Sequence, residues 1–315
     1  MSSIKLLLVT EYDNGSQMYA LYKALNKYTQ HQARLITFKN TYLDYQTDVF
    51  DPPLNKVEEL VEWADFFILG EVLSPRMHTE PILNAINKNN CIVRAGGSTA
   101  RAYPQLYMTG HYKGLMKTGA FHDVSIALKI FPMAPTVNIF HFDEFPAKKE
   151  REEGAPVKIV FSGTGLKHKA EHSGEFMKAW EVLSRTHGDN LQLINIMKTP
   201  WKKTLEIKAG CNLTFDQLHI GAYANSSIES MWYRQPTFCY VSEWCRTVHP
   251  DVPVVNLKTA GDIIRRVDWY MSDRDRIRFD GDRGHNYVDR VHSAEIAVQR
   301  WEALIRYVSE EYMKS

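Results

Sequence analysis

The chain is poor in cysteine: it has four in 315 residues, Cys91, Cys211, Cys239 and Cys245, and no Cys-x-x-Cys. That spacing builds neither a zinc ribbon nor a disulfide framework, and reduced thiols are expected. Long apolar runs are missing as well. Met1 leads within a few residues into Leu6 to Val9, a run much shorter than a signal core or a membrane span, so a soluble, cytoplasmic protein without a transmembrane segment is expected. Neither sign of charge is in excess, with 38 Lys and Arg against 37 Asp and Glu. A surface for a polyanion therefore has to be local. Several catalytic signatures are absent too: there is no Ser-His-Asp spacing, no His-Glu-x-x-His helix and no Walker loop. The first loop, Asp13-Asn14-Gly15-Ser16-Gln17, is not Gly-x-Gly-x-x-Gly. Hydrolysis by those routes is unsupported, and a dinucleotide enzyme is disfavoured.

What remains is a globular composition, 44% hydrophobic and 24% charged, in a chain longer than one core usually serves. Two α/β domains are expected. Ile4 to Thr10 reads as a buried strand, followed by a polar turn and an amphipathic stretch from Gln17 to Tyr28. The alternation continues through Arg34 to Phe38, a helix at Leu54 to Trp63, Phe66 to Gly70, a helix near Glu80 to Asn87, and Cys91 to Arg94. Pro146 to Pro156 is charged and contains proline and glycine, as an interdomain linker would. Alternation restarts at Val157 to Phe161, with a helix near Glu175 to Arg185, a strand Leu191 to Met197, a helix near Thr199 to Ala209 and a strand Thr237 to Val241. A long amphipathic helix from Ser293 to Met313 closes the chain, with Ile296, Trp301, Leu304, Ile305 and Val308 on one side. Alternation of this kind implies parallel sheets that take ligands at the carboxyl ends of their strands.

The most informative stretch runs from Phe215 to Tyr240. It offers a loop with Gly221, the small polar residues Asn225, Ser226 and Ser227, a helix carrying Glu229, then Pro236 leading into an apolar strand. Small residues ahead of a helix leave backbone N–H groups for a diphosphate, and a carboxylate one turn inside can take both hydroxyls of a ribose. The same residues also read as a helix cap with Glu229 solvated. The segment resembles the donor-binding motif of GT-B glycosyltransferases, especially the retaining enzymes of glycosyltransferase family 4. Glu229-Ser230-Met231, followed by Arg234-Gln235-Pro236, matches the second half of that motif. Gly221 stands where its first Glu would be, and Gln235 where the glycine before the proline would be.

The resemblance implies a GT-B fold of two Rossmann-like domains with a cleft between them. The first domain would be residues 1–147, with 295–315 as a helix crossing back to it, and the second, nucleotide-sugar-binding domain would be 157–294. It also implies transfer of a hexosyl or pentosyl group from a UDP- or GDP-sugar, with retention and without a metal. No cofactor is expected, the nucleotide sugar being a co-substrate. Val160 to Lys169 is similar to the family's entry strand and diphosphate site, so Gly163, Lys167 and above all Lys169 are expected on the donor, with Lys169 and Glu229 the catalytic pair. A cation there offsets charge on the departing diphosphate. Gly284 to His292 is similar to the family's closing segment. A nucleotide-sugar 2-epimerase and an inactive binding module remain the alternatives.

For the acceptor, the sequence from Pro81 to His122 has no Asp or Glu, while Lys88, Arg94, Arg101, Lys113 and Lys117 lie in it. Tyr103, Tyr107, Tyr112, His111 and His122 are interleaved with these cations, and Ser98 follows the strand ending at Arg94. That mixture suits an anionic acceptor, either nucleic acid bearing a hydroxymethylated base or a phosphorylated glycan or lipid. The same cations also suit pairing with carboxylates elsewhere in the chain. Gly15 and Ser16 resemble the glycine loop that approaches the substrates in this fold.

Overall fold

The computed structural model describes residues 3–95, 97–119, 136–150, 152, 154–162 and 170–312. The chain divides into two compact units, Met1–His141 with His292–Ser315, and Phe142–Val291.

The first unit is built on a parallel sheet of β1 (Lys5–Tyr12), β2 (Gln32–Lys39), β3 (Val49–Phe50), β4 (Phe66–Leu69), β5 (Cys91–Arg94) and β6 (Met116–Thr118), in the order β3-β2-β1-β4-β5-β6. Leu6 to Val9 and the whole of β4 are buried, which is why these strands read as unbroken apolar runs rather than alternating ones. The connecting helices are α1 (Gln17–Tyr28), α2 (Leu54–Trp63), α3 (Glu80–Ala85) and α4 (Gly97–Ala102). Strand order reverses between β1 and β4. That is the point at which open α/β sheets leave room for a ligand.

The second unit repeats the plan on four parallel strands, β7 (Val157–Ser162), β8 (Leu191–Ile196), β9 (Leu213–Gln217) and β10 (Thr237–Cys239), in the order β10-β9-β7-β8. Its helices are α5 (Ala170–His187), α6 (Trp201–Lys208), α7 (Asn225–Trp232), α8 (Glu243–Val248), α9 (Ala260–Ser272) and α10 (Asp275–His292). The reversal here falls between β7 and β9.

The chain enters the second unit at Phe142, ahead of the charged stretch from Pro146. Phe142 stacks on Trp232 with ring centroids 4.1 Å apart, and Phe145 packs against Trp201 and Tyr233. The last helix, α11 (Ala294–Tyr312), returns to the first unit and packs on α1 and β5. Trp301, Leu304, Ile305 and Val308 are buried as expected, whereas Ile296 faces solvent and Ala297 and Val298 take the inward positions. The long helix α10 has two glycines, and both sit where it crosses the end of α7. A Cβ on Gly281 would fall 2.1 Å from the Arg234 carbonyl oxygen, and one on Gly284 would fall 3.1 Å from Met231 Cγ.

Candidate active site

In the second unit, Gln217 ends the central strand β9 and folds the loop that follows. Its Nε2 donates to the carbonyl oxygens of Ala222 at 2.7 Å and Tyr240 at 3.1 Å, and its Oε1 accepts from the N–H groups of His219 at 2.8 Å and Ile220 at 2.7 Å. Gly221 turns the loop at φ 75°, a region that favours glycine, and its carbonyl accepts from the Ser242 N–H at 2.9 Å.

Helix α7 then starts without a side-chain cap. Its polar first-turn residues point inward instead. Ser227 Oγ donates to the buried Asp216 at 2.5 Å, and Ser226 Oγ accepts from Lys208 Nζ at 2.9 Å. Asn225 and Ser226 are half-buried, so the uncapped first turn stands at the surface of the unit. Such a helix start offers N–H groups and the positive end of the dipole to an anion.

Glu229 is only 5% exposed. Its Oε1 accepts from Trp201 Nε1 at 2.9 Å and its Oε2 from Lys208 Nζ at 2.6 Å. Lys208 is 0% exposed, and its ammonium also donates to the Ser226 carbonyl at 3.1 Å. Two charges are thus buried together with their hydrogen bonds made, the condition under which a buried ion pair is tolerated. Glu229 is directed into the unit and holds the first turn of α7 through Lys208. A ribose would share a carboxylate that already has two donors.

Gln235 is equally internal. It accepts from Thr214 Oγ1 at 2.5 Å and donates to the carbonyls of Cys211, at 3.0 Å, and Lys208. The left-handed conformation that usually calls for glycine falls one residue earlier, on Arg234 at φ 54°. Its guanidinium pairs with Asp282 of α10.

The first unit places a second polar cluster at the carboxyl ends of β1, β4 and β5. Asp13 caps α1 from a distance, accepting from the N–H groups of Met18 at 2.9 Å and Tyr19 at 2.8 Å. Burial nevertheless raises its carboxyl above the ordinary value. Glu71 Oε1 accepts from the N–H groups of Glu11 at 3.0 Å and Tyr12 at 2.9 Å, and burial, reinforced by the charge of Glu11, raises it as well. Glu11 goes the other way. Burial pushes it up, but the Ser74 N–H, Lys39 and Arg76 together outweigh that and bring it down.

Arg94 is 9% exposed and donates to Asn138 Oδ1 at 3.2 Å; burial lowers its guanidinium, against the charges of Asp13 and Glu71. In the loop between β1 and α1, Gly15 and then Ser16 are both left-handed, at φ 76° and 56°. For serine that conformation is strained.

The residues singled out in the sequence thus fall into two sets. Gly221, Asn225, Ser226, Ser227 and Glu229 come together in the second unit, while Gly15, Ser16 and Arg94 come together in the first. Ser98 lies in α4, and Arg101 and His111 are exposed beyond it. Gly163, Lys167, Lys169 and His122 lie outside the described residues. The acid-free stretch is not one basic face, because Lys117 is buried and donates to the Tyr112 carbonyl at 2.6 Å, and Arg94 is turned inward. Lys88, Arg101 and Lys113 are exposed. Lys208, Trp201, Asp216, Gln217, Glu11, Asp13 and Glu71 had not been singled out as site residues. The signal for some of them was faint: Asp216-Gln217 interrupts an apolar strand, and Glu71 directly follows one.

No family model matches the chain and no curated protein matches it. Solved structures do. Sucrose-phosphate synthase from Thermosynechococcus elongatus aligns at 11% identity over 99% of this chain and 100% of its own, with a TM-score of 0.63. The chain has the GT-B fold. Anabaena HepE, solved with UDP and glucose, aligns at 9% identity over 96% of this chain and 99% of its own, TM-score 0.62. A UDP-GlcNAc 2-epimerase from Neisseria meningitidis, bound to UDP-GlcNAc, aligns at 9% identity over 99% and 100%, TM-score 0.53.

Proposed function

We propose that this protein transfers a sugar from a UDP- or GDP-sugar to an acceptor, in the manner of retaining, metal-independent transferases of glycosyltransferase family 4. The observation that carries the reading is the uncapped start of α7 behind the left-handed Gly221, a backbone cradle at a strand-order reversal. Asn225 and the first-turn N–H groups receive the diphosphate, helped by the helix dipole. Lys169, with Lys167 and Gly163, completes that grip and stabilises charge on the leaving group. Glu229 serves the nucleoside side and, with Lys208, keeps the first turn in register. Arg94, Ser98, Gly15 and Ser16 belong to the acceptor. The fold neighbours solved with UDP, or with UDP and a sugar, support a nucleotide-sugar ligand.

A second reading, 2-epimerisation of the nucleotide sugar, is favoured by the carboxylates Asp13 and Glu71 beside Arg94, with Glu11 next to Glu71. Groups whose environments drive their proton affinities apart are what acid–base chemistry requires. Incubation with radiolabelled UDP- and GDP-sugars separates the readings. Release of free sugar and its transfer to an added acceptor supports the transferase, and a sugar changed in configuration but still linked to nucleotide supports the epimerase. Tight binding without turnover leaves only a binding module. Glu229→Gln, which keeps an acceptor for Trp201 but removes the charge, is expected to weaken UDP binding by about 1–3 kcal/mol in titration calorimetry. Unchanged affinity would remove Glu229 from the donor site.

A further inference from the structure

We propose that α4 and the two short turns after it, Pro104–Tyr107 and Gly110–Tyr112, dock this protein on an anionic lipid surface. Within six residues this segment exposes three large apolar side chains, Tyr103 at 56%, Leu106 at 41% and Met108 at 47%. They are held outward by anchors beneath them. Tyr107 is buried, and Tyr112 is buried with its hydroxyl on the backbone of Leu73, accepting from the N–H at 2.7 Å and donating to the carbonyl at 3.2 Å.

The same segment carries the exposed Arg101, His111 and Lys113, and the sequence from Pro81 to His122 has no Asp or Glu. Exposed apolar tips in a segment that carries exposed cations and no acidic residue match the boundary between acyl chains and phosphate headgroups. A nucleic acid would use the cations and could stack on Tyr103, but Leu106 and Met108 would gain nothing against sugar-phosphate. No described helix is long and apolar enough to cross a membrane, so the contact is with the surface. Where the transferase reading holds, docking here brings the protein to an acceptor anchored in lipid. The binding itself does not depend on that reading.

The test is sedimentation of the full chain with vesicles of phosphatidylcholine alone, or of phosphatidylcholine with phosphatidylglycerol, at low and high salt. Binding to the anionic vesicles only, weakened by salt, is expected. Leu106→Ser with Met108→Ser should weaken it at least about tenfold through lost apolar insertion. Arg101→Glu with Lys113→Glu should do so by a similar factor through lost attraction. All four side chains are exposed, so far-ultraviolet dichroism should match the parent. Parent-like vesicle binding by either double variant, equal binding to neutral vesicles, or displacement from vesicles by duplex DNA would overturn the proposal. UDP binding is measured on the same preparations. A parent chain that binds vesicles but not UDP sinks the transferase reading and leaves this one standing.

Discussion

In the second unit Lys208 and Glu229 are buried against each other and against Trp201 and Ser226, so that both carboxylate oxygens and the ammonium have close partners. In the first unit Asp13 and Glu71 are held by neutral N–H donors, and the nearby Arg94 donates to Asn138 instead. The first arrangement fixes a helix. The second leaves carboxyls whose charged form the fold disfavours, which is a cost to stability and a common mark of a working site. Buried charge is thus paired off in the second unit and left to neutral donors in the first.

The comparison is broken most directly at Lys208. Lys208→Met leaves Glu229 buried without its cation and should cost about 3–5 kcal/mol in urea unfolding, whereas Lys208→Met with Glu229→Gln should recover much of that loss. A double variant no more stable than the single would show that the pair does not carry the helix.

A smaller effect is expected at Glu71. Its folded-state proton affinity is raised, so its contribution to stability is complete below its unfolded pKa and is lost as pH rises through the folded value. The stability of the parent relative to Glu71→Gln should therefore decline on going from acid toward neutral pH, while Asp13 contributes equally to both proteins. Parallel urea-midpoint curves for the two proteins would place Glu71 with the structural carboxylates. Smallest is Ser16→Gly, which removes a left-handed serine and should raise stability by about 0.5–1 kcal/mol by thermal unfolding.

The α/β alternation was legible because buried parallel strands are short apolar runs and their helices are amphipathic. Gln17–Tyr28, Leu54–Trp63 and Cys91–Arg94 fall on the bounds read from periodicity. The helices α9 and α10 were not read. In α10 the two glycines and the dense charge look like a loop, and only the approach of α7 explains why glycine is needed there. The loop around Gly221 was visible as a run of small residues, but the orientation of Glu229 was not. That depends on Lys208 and Trp201, some twenty or more residues upstream, meeting it in space. A lysine in an amphipathic helix reads as solvated unless its partner is known.

The return of residues from His292 onward to the first unit sets an order of assembly. The second unit is continuous in sequence and is complete once its own residues have left the ribosome. The unit synthesised first has to wait for Trp301 and its neighbours, which pack beside α1 only after the whole of the second unit has been made. During that interval the sides of α1 and β5 that α11 covers stay open to solvent.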